Sequence, residues 1–332
     1  MPRVVAAPDK FRGTATAREI AAAVAAAAAD AGWDCDQMPV SDGGEGFCEA
    51  LGGRRRTEWV HGPLGGAVLA EWRLLADDTT AVVEMAAASG LVLVGGSEGN
   101  DPVRADTRGT GELIAAAVKA GARHVLVGVG GSASTDGGLA ALDVLEPHSR
   151  LKGVEVIVAC DVTTRFADAA PVFSPQKGAS PAQARLLRRR LERLVGVYAE
   201  RFGTDVSDLP GSGAAGGLAG GLAAIGATLS PGFEVVAEAI DLGAFVENAD
   251  LVVTGEGFLD EQSFNGKAVG GVAQLAAESG VEVMVVAGDA EGDQPVAYCS
   301  LTERFGREAA MADTQRLVRQ VVTDELRRRG GT

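Results

Sequence analysis

Glycine in this chain falls in short clusters beside Asp, Glu and Lys at the ends of apolar runs, and that pattern limits what the chain can become. Forty-six of the 332 residues are glycine, about twice the usual share of roughly 7%. They follow no three-residue period, which excludes a collagen-like rod. The rest of the chain is 46% hydrophobic and 23% charged, enough apolar surface for a packed core rather than a disordered polymer. At roughly 150 residues per domain, the length predicts about two domains. A net charge of −15 argues against nucleic acid or an anionic membrane as partner. Cys35, Cys48, Cys160 and Cys299 have neither CxxC nor metal-ligand spacing, so they read as reduced thiols and predict a cytoplasmic protein. The longest apolar run, Ile20 to Ala29, is alanine-rich and too short to span a bilayer.

The order of elements predicts an α/β chain. Arg3 to Ala7 reads as a first strand closed by Pro8-Asp9, and Thr16 with Glu19 forms a capping box for an alanine-rich helix. Cys35 to Val40 reads as the next strand, completing a βαβ start and implying a parallel sheet. From Trp59 to Met85, alternating runs separated by turns predict hairpins. The βα pattern then resumes with a helix from Gly109, a strand His124 to Val129 and the loop Gly130 to Gly138. A helix from Pro181 to Phe202 has an apolar face at Leu186, Leu187, Leu191, Leu194 and Val195, with Arg188 to Arg190 as a solvated face. Strands Leu251 to Thr254 and Glu282 to Ala287 follow, separated by a helix from Lys267. The hairpin-rich shift suggests a domain inserted into the first. The expected division is 1–75 plus 265–332 for a flavodoxin-like domain and 76–264 for a mixed α/β insertion.

The glycine clusters are weighed first as nucleotide fingerprints. Gly211 to Gly216 has GxGxxG spacing but follows a polar, proline-ended loop instead of a strand. Gly128 to Ala133 follows a strand, yet the next strand ends at Asp161, too far on for the acidic ribose ligand expected about 20 residues later. A nicotinamide-dependent hydroxy-acid dehydrogenase is therefore a distant alternative. Asn265 to Ala268 lacks the upstream glycine and the Ser or Thr of a P-loop.

What remains are glycine loops carrying charge. A backbone packed against polyphosphate needs its N–H groups aimed at the anion with no Cβ in the way. Phosphoryl transfer adds a carboxylate for Mg²⁺, a cation near the moving group, and a group that orients the acceptor hydroxyl. Asp9 and Lys10, Asp42 and Glu45, Asp136, Lys177, and Glu256, Asp260 and Lys267 stand at strand ends or helix starts as candidates. Only five of the 30 basic residues are lysine, and Lys10, Lys177 and Lys267 each lie close to glycine in a loop; a compact ammonium suits a phosphate oxygen. A plainer reading stands beside this one: Asp42 and Asp136 as helix N-caps, and Gly213 to Gly221 as a close-packed helix touching no ligand. His61, His124 and His148 have no Ser or Cys partner at meaningful spacing, so a histidine-based triad is not expected.

Pro8-Asp9-Lys10-Phe11-Arg12-Gly13, Ser41-Asp42-Gly43-Gly44-Glu45-Gly46, Glu84 to Gly90, Thr107-Arg108 to Leu113, Gly130-Gly131-Ser132 to Gly138, Pro175 to Ala179, Gly213 to Gly217 and Thr254 to Gly257 together resemble the class I glycerate kinases, in that family's order and over most of the chain. The resemblance implies ATP- and Mg²⁺-dependent phosphorylation of D-glycerate, usually at the 2-hydroxyl. It also implies two α/β domains, one flavodoxin-like, with ATP and glycerate expected to meet in the cleft between them. The roles come from the chemistry of the positions and not from the family: Asp136, Asp42 and Lys10 are the expected catalytic groups, and Asp42, Glu256 and Asp260 the metal carboxylates. Asp9, Arg12, Gly13, Gly43, Gly44, Glu45, Arg108, Gly130, Gly131, Ser132, Lys177, Gly213, Gly216, Gly217 and Lys267 are the expected ATP and substrate contacts. The partner is a small molecule, neither nucleic acid nor membrane, and a homodimer is one option for the oligomeric state. A sugar-acid sensor that kept the pocket without catalysis is the other alternative. Two segments, 139–153 and 163–170, are shorter or poorer in glycine than the family pattern, which bears on the rim of the acceptor pocket.

Overall fold

The structure is a computed structural model and describes residues 1–264 and 267–330. The strands in chain order are β1 (Arg3–Ala6), β2 (Asp34–Gln37), β3 (Arg54–His61), β4 (Ala67–Leu74), β5 (Thr80–Glu84), β6 (His124–Gly128), β7 (Glu155–Ala159), β8 (Thr228–Ser230), β9 (Leu251–Leu259), β10 (Val283–Ala290) and β11 (Tyr298–Ser300). The helices that position the candidate groups are α1 (Ala17–Ala31), α2 (Arg108–Lys119), α3 (Leu139–Val144), α4 (Pro181–Phe202), α5 (Leu218–Ala224), α6 (Ala268–Glu278) and α7 (Thr314–Gly330). Among the described residues no helix is long and apolar enough to cross a membrane.

The chain divides into two compact units, one of residues 1–42, 49–51 and 236–332, the other of residues 43–48 and 52–235. These bounds differ from 1–75 plus 265–332 for a physical reason. β3 and β4 pair with β5 and so belong to the second sheet, whereas β9 pairs with β1 in the first. A composition shift marks where hairpins begin, but strand pairing decides which sheet receives them. Asn265, at the expected boundary, and Gly266, beside Lys267, lie outside the described residues.

The first unit is an all-parallel sheet of order β11-β10-β9-β1-β2. Renumbered within the unit this is 2-1-3-4-5, the flavodoxin-like order, whose topological switch point lies between β1 and β9. Val4 and Val5 of β1 and Leu251 to Val253 of β9 are buried, as expected for parallel strands covered on both faces. Thr16 caps α1 as the sequence predicts: its hydroxyl accepts from Glu19 N at 3.2 Å while its own N–H donates to the Glu19 carboxylate at 2.9 Å, a box worth about 1 kcal/mol. The alanines of α1 make a flat surface on which α7 lies with Leu317, Val318, Val321 and Leu326 buried.

The second unit has a mixed sheet of order β3-β4-β5-β6-β7-β8, antiparallel through β5 and parallel beyond it. Its core includes Trp72, Met85, Leu113, Ile114 and Phe166. α4 occupies the predicted span, with Ser180 and Gln183 completing a capping box. Its buried face is Leu187, Leu191, Leu194 and Tyr198, each such burial worth about 1.5–3 kcal/mol. Leu186 instead remains 39% exposed. Tyr198 reaches past the core, and its hydroxyl donates to Gly137 O at 2.9 Å, so the long helix holds the Gly130 to Gly138 loop in place.

Candidate active site

The switch point of the first unit gathers charge. The chain leaves β1 through Pro8, and Asp9 N donates to Gly255 O at 2.9 Å. Phe11, 1% exposed, anchors the turn in the core, worth about 1.5–3 kcal/mol. Gly13, at φ 81°, lets the chain reverse before α1. Lys10, between the two anchors, places Nζ 3.7 Å from Asp9 Oδ1 and 3.8 Å from Asp42 Oδ1. Glu256 stands in the carboxyl-terminal part of β9, which runs beyond the expected end at Thr254, and Lys267 precedes α6.

These groups line a cavity of about 510 Å³ together with Arg12, Asp289, Thr302 and Arg307, within the range of small-molecule sites. Asp9, Asp42, Glu256 and Asp289 face Lys10, Arg12, Lys267 and Arg307, so a chain of strongly negative charge has a locally balanced pocket. Burial pushes the Asp9 carboxyl up to about 6; the Lys10 ammonium opposes the shift and the Asp42 charge adds to it. Burial likewise lifts Glu256 to about 7, partly offset by the Ser263 hydroxyl and Lys267 and reinforced by Asp9 and Asp42. Glu256 Oε1 is buried with no hydrogen-bond partner among the described residues.

Among the described residues no three His, Cys, Asp or Glu side chains form a metal cage. Mg²⁺ commonly needs only one or two carboxylates, completed by phosphate oxygens and water. The mutual repulsion of Asp9, Asp42 and Glu256 is what a divalent cation relieves, so the donor set fits such an ion. Asp260 has a local job: its Oδ1 accepts from Gln262 N at 2.8 Å and Ser263 N at 3.1 Å, holding the turn after β9, and it does not line the cavity.

In the second unit the expected catalytic Asp136 is buried and held by hydrogen bonds. It is 7% exposed. Its Oδ2 accepts from Thr107 N at 3.0 Å and Thr107 Oγ1 at 2.8 Å, and its Oδ1 accepts from Gly138 N at 3.1 Å. The carboxylate thus ties the starts of α2 and α3 together, close to the capping role also open from sequence. Burial raises its pKa against the pull of the Thr107 and Gly138 donors. Lys177 is 3% exposed and donates from Nζ to Ser134 O at 2.6 Å; burial lowers it to about 7 despite the attraction of Asp136.

The glycines of this unit are explained by backbone contact. A Cβ on Gly213 would meet Arg165 O at 2.4 Å, one on Gly216 would meet Ser134 O at 2.2 Å, and one on Gly217 would meet Gly137 Cα at 2.8 Å. Their space on the Cβ side is filled by the protein, which accords with the close-packed reading. A Cβ on Gly130 would lie 2.6 Å from Gly44 Cα, and one on Gly43 would lie 2.9 Å from Ala159 O; these glycines let two loops touch. Gly131 and Glu45 are exposed, while Ser132 is buried and bridges to Gly90. Arg108 opens α2, exposed, with Nε donating to Glu112 at 3.3 Å.

Sequence reasoning missed Asp289, Thr302 and Arg307. Gly288-Asp289 at a strand end carried the same signal as the other charged glycine loops, whereas Arg307 had none.

The first unit is thus a parallel α/β sheet whose switch point carries Lys10 and Lys267 beside Asp9, Asp42 and Glu256. A sequence model described as the glycerate kinase family matches residues 4–147 and 139–327. The chain is 38% identical to the glycerate 2-kinase of Escherichia coli (strain K12) over 89% of its own length and 87% of that protein's. It is 38% identical, with the same coverage, to the glycerate kinase of Bacillus subtilis (strain 168). A crystal structure of a protein provisionally assigned as glycerate kinase 2, from Salmonella typhimurium LT2, superposes with a TM-score of 0.85 at 34% identity, covering 98% of each chain. The chain belongs to the glycerate kinase family and is a kinase.

Two outcomes follow from the two environments. Asp136→Ala removes a buried acceptor from four donors, the Thr107 N–H and hydroxyl and the Gly138 and Ala140 N–H groups, a loss of about 2–5 kcal/mol, so a lower melting temperature by calorimetry is expected; an unchanged melting temperature with lost turnover would place Asp136 in the chemistry. Glu256 has a folded pKa above its ordinary value of 4.5, so its contribution to stability is present below about 4.5 and is lost as pH rises through about 7. Thermal melts of Glu256→Gln should show a smaller loss of stability over that window than wild type. Superimposable pH profiles would contradict the buried-carboxylate account.

Proposed function

We propose that the chain transfers the γ-phosphoryl group of ATP to the 2-hydroxyl of D-glycerate, giving 2-phosphoglycerate and ADP. The observation that carries this reading is the charge-balanced cavity at the switch point of the first unit. The 2-position is favoured by the similarity to a protein named glycerate 2-kinase.

Lys10 sits where a strand feeds the start of α1. Its ammonium holds a phosphoryl oxygen and follows the group as charge shifts in the transition state. Lys267 supplies a second cation on the β9 side of the cavity. Glu256, expected from sequence as a metal ligand, instead takes the hydroxyl proton at Oε1, since a carboxyl titrating near 7 is matched to that transfer. Asp9 and Asp42 are the proposed carboxylates for Mg²⁺, which when bound neutralises charge on the phosphates. Asp136 and Lys177 hold the loops of the second unit. The dehydrogenase reading loses ground because β1 is followed by Pro8-Asp9-Lys10 and not by a glycine fingerprint.

ADP release should be measured with a panel of small hydroxy acids, and the product read by phosphorus NMR. D-glycerate should be the preferred acceptor and the product a secondary phosphate ester. A primary ester would overturn the regiochemistry, and glycerate binding without ADP would favour the sensor.

A further inference from the structure

β3 is an eight-residue strand at the open edge of the second unit's sheet. Gly62 N donates to Gly66 O, continuing the β3–β4 ladder. By alternation, residues 54, 56, 58 and 60 bond to β4, while the main-chain groups of Arg55, Thr57, Trp59 and His61 point outward. His61 N, outward-pointing, donates to Glu112 Oε2 at 2.8 Å, which agrees with that assignment and removes it from the edge. Arg55, Thr57 and Trp59 are left with main-chain groups directed away from the sheet, and a long exposed edge of this kind is a template for another strand.

Trp59 is 72% exposed and lies opposite Leu69, itself 56% exposed, on the solvent face of the sheet. Arg56 and Glu58 are exposed, and neither has an ion-pair partner among the described residues. Arg55 is held by Glu71, with Nε donating to Oε2 at 2.6 Å.

We propose that two copies of this chain pair antiparallel along β3, about a twofold axis at Thr57, to make one continuous sheet. In this register Thr57 faces Thr57 of the second copy and Arg55 faces Trp59 as hydrogen-bonded pairs, using the three outward residues on each side. Arg56 faces Glu58 as a non-hydrogen-bonded pair, the arrangement that brings side chains closest. Both unpaired charges are then matched twice, and each Arg55 comes beside the indole of Trp59 of the second copy, which a cation favours. The neighbouring registers fail. An axis at Glu58 sets Glu58 against Glu58 and needs the His61 N–H already donated to Glu112. An axis at Arg56 sets Arg56 against Arg56. Only the Thr57 axis is self-complementary in both charge and main-chain donors, as an isologous interface requires.

Sedimentation velocity on the full chain at micromolar concentration tests this, with circular dichroism as the check on folding. Wild type should sediment as twice 33.7 kDa, and Arg56→Glu and Glu58→Arg should each be monomeric, because each swap puts like charges face to face. An equimolar mixture of the two single variants should restore the dimer, since the strands are then oppositely charged at both positions. A monomeric wild type would overturn the proposal. So would a dimer indifferent to both swaps, or a mixture that stays monomeric.

Discussion

The desolvation of carboxylates at the carboxyl ends of β1 and β9 is the constraint on which the rest of the candidate site depends. An ionised Asp9 or Glu256 inside a protein is costly unless positive charge lies close by. Lys10 lies within 4 Å of both Asp9 and Asp42, and Lys267 draws Glu256 toward ionisation. Neither lysine overcomes the burial, so both carboxyls titrate close to neutral pH. On the proposed reading, ATP with Mg²⁺ would give the lysines an anion and the carboxylates a divalent cation.

The fold creates this situation through topology. In a parallel sheet the loops on the two sides of a switch point diverge, leaving room at the strand ends. Phe11 fastens the loop after β1 to the core, so Lys10 is held at its base while its ammonium reaches the cavity. In the second unit equivalent loops are spent on packing. Asp136, Tyr198 and the glycines at 213, 216 and 217 lock the loop after β6 against α2, α4 and the turn before α5. In the first unit Glu256 Oε1 has no hydrogen-bond partner among the described residues, whereas Asp136 in the second accepts from Thr107 and Gly138.

That contrast explains what was legible in the sequence. Local rules were readable: the Thr16–Glu19 box, the full span of α4, the strand–loop alternation and the charged glycine loops all depend on neighbours a few residues apart. The switch-point residues Asp9, Lys10, Asp42, Glu256 and Lys267 were found because each sits at a strand end or helix start. What sequence spacing could not separate was Asp136 from Asp42. Both follow Ser or Thr and precede two glycines, yet one accepts from Thr107, twenty-nine positions away, and the other lines a cavity. The same long-range pairing moved the unit boundary, because β9 joins β1 across most of the chain. Arg307 was invisible for the same reason, its place in the cavity being set by the short helices Leu301–Phe305 and Arg307–Ala312 and not by any local motif.

The central claim is that the lysine at this switch point carries the migrating phosphoryl group. Arginine is this chain's usual cation, and its planar fork keeps the charge while changing its reach and geometry. Steady-state kinetics of Lys10→Arg with varied ATP and glycerate decide the matter. If the ammonium acts mainly in the transition state, kcat falls by at least about tenfold while KM for ATP changes much less. Wild-type turnover from Lys10→Arg would contradict the account and remove Lys10 from the reaction.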